Sequence, residues 1–215
     1  MIETTAGVVL RTRALTETSL IVHWLTPSLG RLATVAKGAR RAKSPFRGKL
    51  DLFYLADISF SRSARSELHT LREVSLRETH ARLRQDLGLL QQAAYCAALL
   101  EQATETETPL PRLFDLMTGV LQHLLIHPRQ PATVFSFELK LLNELGLKPS
   151  LETSRLKPGT KALISALGEN DWAMVARLRL SEAQVADLRE FLHGFLTYHL
   201  GRIPKARSGA LGLAR

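Results

Sequence analysis

Leu20-Ile-Val-His-Trp-Leu-Thr-Pro-Ser-Leu-Gly-Arg-Leu-Ala-Thr-Val-Ala-Lys-Gly38 reads as two β-strands joined by a tight turn. β-Branched and aromatic residues alternate with others on both sides of Pro27-Ser-Leu-Gly30, a connection with proline early and glycine last that suits a hairpin. Leu20, Val22 and Trp24 share one face of the first run, while Ile21 and Leu25 share the other with His23, so that strand is expected to be buried on both sides. Upstream, Gly7-Val-Val-Leu-Arg-Thr-Arg-Ala-Leu15 is strand-like. Downstream, so are Leu52–Ser61 and Leu68–Leu76. Gly38 to Lys49 lies between them, with Gly38, Ser44-Pro45, Gly48 and no periodicity, and reads as a loop. Five short strands, an early hairpin and one long connection after the third strand predict a small Greek-key barrel of the OB-fold type, with an SH3-like barrel as the alternative.

From Thr79 the period becomes helical. The runs 80–103, 113–127 and 131–147 place apolar residues three and four apart, as in Phe135, Leu139, Leu142 and Leu145. Pro109 and Pro111 open the second run, His127-Pro128 closes it, and Gly146 followed by Pro149 ends the third. A short helix is expected near Lys161–Leu167 and another from Asp171. Ser181-Glu-Ala-Gln184 is a capping box before a last helix that Gly201 stops. The class is therefore α+β, with a barrel over 1–79, a mainly helical domain over 80–203, and a basic, flexible tail over 204–215.

Of the 215 residues, 45% are hydrophobic and 23% charged, enough for a sizeable core. The longest uninterrupted apolar stretch, Ala93–Leu100, falls far short of the ~20 residues that cross a bilayer, and no basic leader or cleavage site precedes the first strand. A cytoplasmic protein without membrane partners is expected. Cys96 is the single cysteine, which excludes an internal disulfide or a Cys-rich zinc site. His123 and His127 are four apart on one helix and His193 and His199 lie on another, but neither pair has the close Cys or carboxylate that would complete a metal shell. Glu101, Glu105 and Glu107 read as a solvated acidic helix end or as a contact for a basic partner. No phosphate-cradling, zinc-protease, serine-hydrolase or calcium-loop motif occurs, so the chain is not expected to be an enzyme.

The net charge of +9 is unevenly spread. Lys and Arg number thirteen against seven Asp and Glu in 1–79, thirteen against thirteen in 80–203, and three against none in 204–215. Such asymmetry points to a polyanion, nucleic acid first. The strongest local signal runs from Arg31 through Lys37, Arg40, Arg41, Lys43 and Arg47 to Lys49, with no acidic residue and with Gly38, Ser44, Gly48 and Phe46 interleaved. Cationic side chains neutralise phosphates, Gly and Ser allow close backbone approach, and an exposed ring stacks on a base. Phe46 has two readings, a stacking platform or a barrel core residue. Arg11 and Arg13 extend the basic surface on the first strand, with Arg62 and Arg65 as weaker additions.

Gly7-Val-Val-Leu-Arg-Thr-Arg, Glu17-Thr-Ser-Leu-Ile-Val-His-Trp-Leu-Thr, Leu29-Gly-Arg-Leu-Ala-Thr-Val-Ala-Lys-Gly-Ala-Arg-Arg, Lys43-Ser44 and Leu50-Asp-Leu-Phe53 resemble, in order and spacing, the N-terminal domain of the bacterial recombination and repair protein family RecO. The resemblance continues through Phe137–Gly146 and Tyr198–Gly201. It implies an OB-fold followed by a helical domain and no covalent catalysis. It also implies binding of single- and double-stranded DNA, annealing of complementary strands, cooperation with RecR and often RecF in helping RecA replace single-strand-binding protein, and recognition of that protein's acidic, hydrophobic C-terminal tail. Carried onto this chain, the family motif marks Lys37, Gly38, Arg40, Arg41, Lys43 and Ser44. Many family members carry a four-cysteine zinc element after the Leu-Gly segment. Here Leu145–Arg155 has no cysteine, so no metal or other cofactor is expected. Two further classes stay open: an adaptor that grips acidic protein tails, and an RNA-binding OB protein.

Overall fold

A computed structural model of the chain describes residues 1–152 and 154–212. Spatially the chain forms two compact units, Met1–Ala81 with Thr104–Asp115, and Arg82–Ala103 with Leu116–Arg215.

The first unit is a closed five-stranded barrel in the order β1-β2-β3-β5-β4, formed by β1 (Ile2–Ala14), β2 (Leu20–Thr26), β3 (Gly30–Ala36), β4 (Leu55–Ser61) and β5 (Leu68–Glu78). β1 closes it by serving two partners: Ile2–Val8 pairs with β4 and Val8–Ala14 with β2, the register shifting between Val9 and Arg11. Such a bulge bends the strand so that one long element can turn a barrel corner. The other pairings are antiparallel except β3 with β5, a parallel ladder of only Ala33–Val35 against Leu68–Thr70. This is the expected OB-type α+β architecture.

Val22, Trp24, Leu32, Ile58, Phe60 and Leu71 fill the barrel, and the Trp24 indole N–H is satisfied inside it by Thr34 Oγ1 at 2.9 Å. β2 is buried on both faces, as its pattern requires. In the hairpin, Thr26 pairs with Gly30, which adopts φ +66; Thr26 Oγ1 accepts from Leu29 N and donates to Gly30 O. Two strand starts differ from expectation. β1 begins at Ile2, earlier than Gly7, and β4 begins at Leu55 because Phe53 turns the chain at φ +64.

In the second unit the helices are α1 (Leu87–Ala103), α2 (Pro111–Ile126, which begins in the first unit), α3 (Pro131–Glu144), α4 (Pro158–Glu169), α5 (Trp172–Val175), α6 (Glu182–Leu200) and α7 (Arg207–Leu211). Ala132–Leu139 on α3 are all buried, which makes that helix the centre of the unit. The capping box is present at Ser181 and Gln184. Gly201, at φ +74, follows the end of α6.

The 204–215 segment differs from the flexible tail that its composition suggested. Ala210 and Leu211 are buried, and Arg207 is 6% exposed. Its guanidinium donates to Glu138 Oε1 and Oε2 at 2.7 and 2.9 Å and to Arg189 O at 3.1 Å. Tyr95 Oη completes the set 2.5 Å from Glu138 Oε1. Burial and the adjacent Glu138 carboxylate push the Tyr95 hydroxyl well above its ordinary pKa, so it remains a donor. Residues 213–215 lie outside the described residues.

Residues 104–115 also differ from expectation, grouping with the barrel. Glu107 N donates to Arg31 O at 2.7 Å, and Arg31 bridges Thr106 in parallel. The strap therefore adds hydrogen bonds to β3 at Arg31, just before the short parallel ladder begins at Ala33. Glu107, read as solvated, binds Arg62 Nη1 at 2.6 Å and lies 2.9 Å from the buried His69 Nε2. Among the described residues no helix is long and apolar enough to cross a membrane, and no group of three or more His, Cys, Asp or Glu is placed to hold a metal ion.

Candidate nucleic-acid interface

The loop after β3 is a chain of consecutive turns. Backbone N–H groups of Ala39, Arg41, Ser44, Arg47 and Lys49 each donate to the carbonyl three residues earlier, at 3.0–3.3 Å. Gly38 stands at φ +68, and a Cβ there would meet only ordinary contacts, so backbone conformation and not space calls for glycine. Ser44 Oγ accepts from Phe46 N at 3.2 Å, which folds the turn that carries Phe46 inward. The loop is also tied to the β1–β2 turn: Arg40 N donates to Thr18 O at 2.9 Å, and Arg40 Nη1 to Thr16 O at 3.3 Å. The cations are thereby carried on a hydrogen-bonded frame, which lowers the conformational entropy lost when they engage a ligand.

Lys37, Arg40, Arg41, Lys43 and Arg47 are exposed, and Arg47 Nη1 donates to Ala42 O at 3.3 Å. Phe46 is only 7% exposed and belongs to the barrel core, so its packing reading replaces the stacking one. Lys49 is half-buried and lines a separate groove of about 630 Å³ with Thr4, Ser59, Arg72 and Glu73.

A second basic group forms across β1–β3. Arg11 pairs with His23, whose pKa burial lowers to about 4, with the neighbouring Arg11, Arg13 and Arg31 guanidiniums adding to the effect. That imidazole is uncharged at neutral pH, so the positive potential of this face comes from arginines. Arg11 and Arg13 are exposed. Arg31 is committed to the strap, its Nε donating to Thr104 Oγ1 at 2.8 Å and Nη2 to Thr104 O. Arg62 is held by Glu3 and Glu107, while Arg65 is exposed nearby. The structure thus brings together Lys37–Arg47 and, separately, Arg11, Arg13 and His23, and draws Arg31 and Arg62 into structural pairs.

Sequence reasoning missed Tyr54, Leu20 and Leu50. These half-buried side chains pack on the barrel core and line, with Arg40, Arg41 and Arg47, a cleft of about 530 Å³. Their separation along the chain conceals the grouping. Elsewhere, His123 is buried with Nε2 3.1 Å from Thr133 Oγ1 and its ring 4.7 Å from His127 and 5.2 Å from Trp172; burial lowers its pKa to about 4. It packs within the helical unit.

Residues 1–80 match the family model described as "Recombination protein O N terminal", and residues 84–155 and 152–208 match "Recombination protein O C terminal". A "DNA repair protein RecO" of Anaeromyxobacter dehalogenans strain 2CP-C is 31% identical over 94% of this chain and 92% of its own length. One of Exiguobacterium sibiricum is 28% identical over 94% and 82%. One of Bacillus pumilus is 34% identical over 68% and 56%.

Proposed function

The chain belongs to the recombination protein O family, RecO, whose role is DNA repair and recombination, and we propose that it acts there by binding single- and double-stranded DNA and annealing complementary strands without covalent catalysis. The observation that carries this reading is the row of exposed cations from Lys37 to Arg47 on a hydrogen-bonded loop. Five cations displace counterions from phosphates and screen the repulsion between two strands held close together. Arg11 and Arg13 extend the field across the barrel.

The proposed partners are RecR, RecA and single-strand-binding protein, with RecF as a further link, in the cytoplasm at the nucleoid. For the acidic, apolar tail of single-strand-binding protein the helical unit offers a cleft of about 420 Å³, with Arg189, His193 and Lys205 beside Ile203 and Leu211. Arg189→Glu with Lys205→Glu is expected to weaken capture of such a peptide while leaving DNA binding intact. Unchanged peptide affinity removes the cleft from the proposal.

The central test is annealing of labelled complementary oligonucleotides across a salt series, for the wild type and for Arg40→Ala/Arg41→Ala/Lys43→Ala, with circular dichroism as a folding control. At ~0.7 per phosphate contact, the wild type should bind single strands with a log–log salt slope of about −3, and the variant should lose about 2 of it. A flat salt response, or annealing untouched in the variant, overturns the reading. Matched RNA strands separate it from RNA binding, because a 2′-hydroxyl contact favours RNA.

A further inference from the structure

The loop's cations stand around a surface that phosphate binding does not use. Leu20, Leu50 and Tyr54 pack on the barrel core on one side and with the other line the 530 Å³ cleft that Arg40, Arg41, Arg47 and the largely buried Phe46 also line. A phosphate is a strongly hydrated anion, satisfied by solvated cations and indifferent to an apolar floor. Three guanidiniums beside leucine and tyrosine select a ligand that is flat and apolar in its body and attached to anions. A base joined to its own backbone has that chemistry, and guanidinium planes stack on bases as aromatic rings do.

We infer that this cleft captures one unstacked nucleobase of a single strand, with Tyr54 as its aromatic surface and Arg40, Arg41 and Arg47 on the flanking phosphates. The inference rests on the proposed DNA contact at the same loop. An acidic peptide with an apolar end shares part of this chemistry, but two observations favour the base. Asp51 also lines the cleft, where its carboxylate, which accepts from Leu52 N at 2.8 Å, repels a peptide carboxylate. The exposed cations extend past the cleft to Lys37 and Lys43, a layout suited to a chain charged at every residue beyond the captured one. Bases of a duplex are stacked and paired, so the cleft acts on single strands while the cations act on both.

The test compares anisotropy titrations of oligothymidine and an abasic deoxyribose-phosphate chain of equal length. Wild type is expected to bind oligothymidine about tenfold tighter, the scale of one stacked base. Tyr54→Leu should erase that difference while leaving abasic affinity and salt slope unchanged, and Tyr54→Phe should keep most of it. Photocrosslinking of iododeoxyuridine-containing strands to the wild type should map to Tyr54 and covers the case in which Tyr54→Leu fails to fold. A crosslink elsewhere overturns the assignment. Equal affinity of wild type for both chains, with the triple Ala variant weakening both, overturns base capture and leaves the basic loop as the contact. No binding of either chain removes both. An acidic peptide that binds only when Tyr54 is present, without any base preference, gives the cleft to a peptide.

Discussion

Replacing Arg207 with alanine is expected to unmake the helical unit far more than the loss of a surface arginine would. Glu138 is fully buried on α3, and Arg207 supplies both oxygens with charge-assisted hydrogen bonds at 2.7 and 2.9 Å. Tyr95 supplies one more donor at 2.5 Å. Without Arg207 the carboxylate keeps a single neutral donor in a dry interior, a change that costs about 3–5 kcal/mol. For a chain of this size that lowers the melting midpoint by on the order of 10 °C, read from the helical circular dichroism signal and from urea titration. Tyr95→Phe removes one hydrogen bond to a charged acceptor and should cost about 2 kcal/mol. The double substitution Glu138→Leu/Arg207→Met takes out charge and countercharge together and should recover most of the stability lost by Arg207→Ala. A cost below about 1 kcal/mol for Arg207→Ala, or a double variant no better than the single, refutes the reasoning.

Gly30→Ala should cost at least about 2 kcal/mol, because Gly30 has φ +66 and an added Cβ would stand 1.9 Å from Thr108 O; faster proteolysis within 104–108 reports release of the strap. Phe46→Ala should cost about 3–5 kcal/mol, whereas Phe46→Leu, which keeps the core apolar, should retain most of the stability, as read by urea titration. His123 has a folded pKa of about 4, below the ordinary 6.5, so the unfolded chain takes up its proton first. Stability should fall as pH drops from about 6.5 to about 4, by on the order of 3 kcal/mol at that site, and His123→Gln should remove that share of the fall in the urea midpoint while leaving the share of His23, whose pKa is likewise about 4.

Where periodicity carried the information, the fold was legible in the chain. The hairpin from Leu20 to Gly38, the two-faced burial of β2 and the capping box at Ser181 all rest on interactions within a few residues, and local patterns encode these. Lys37 to Arg47 could be singled out because like charge without countercharge has few uses in a loop. What escaped depends on distant partners. Arg207 carries the same side chain as the exposed Arg41, and only the buried Glu138 some 69 positions earlier makes it a core residue. Glu107 sits in an acidic run that resembles a solvated helix end, yet Arg62 and His69 from the barrel bind it. Tyr54, Leu20 and Leu50 are ordinary apolar residues of a β-rich stretch. Nothing local distinguishes the side that packs from the side that lines a cleft.

The return of Thr104–Thr108 to β3 bears on the order in which the molecule is made. A ribosome delivers all five strands before it delivers α1, yet the strap that supplements β3 lies beyond α1. The nascent barrel therefore waits with part of a strand edge open while seventeen helical residues are added, an interval in which an open edge is a site for wrong pairing. Fragments cut after residue 80 make that interval permanent. A fragment cut there should therefore precipitate sooner than the full chain.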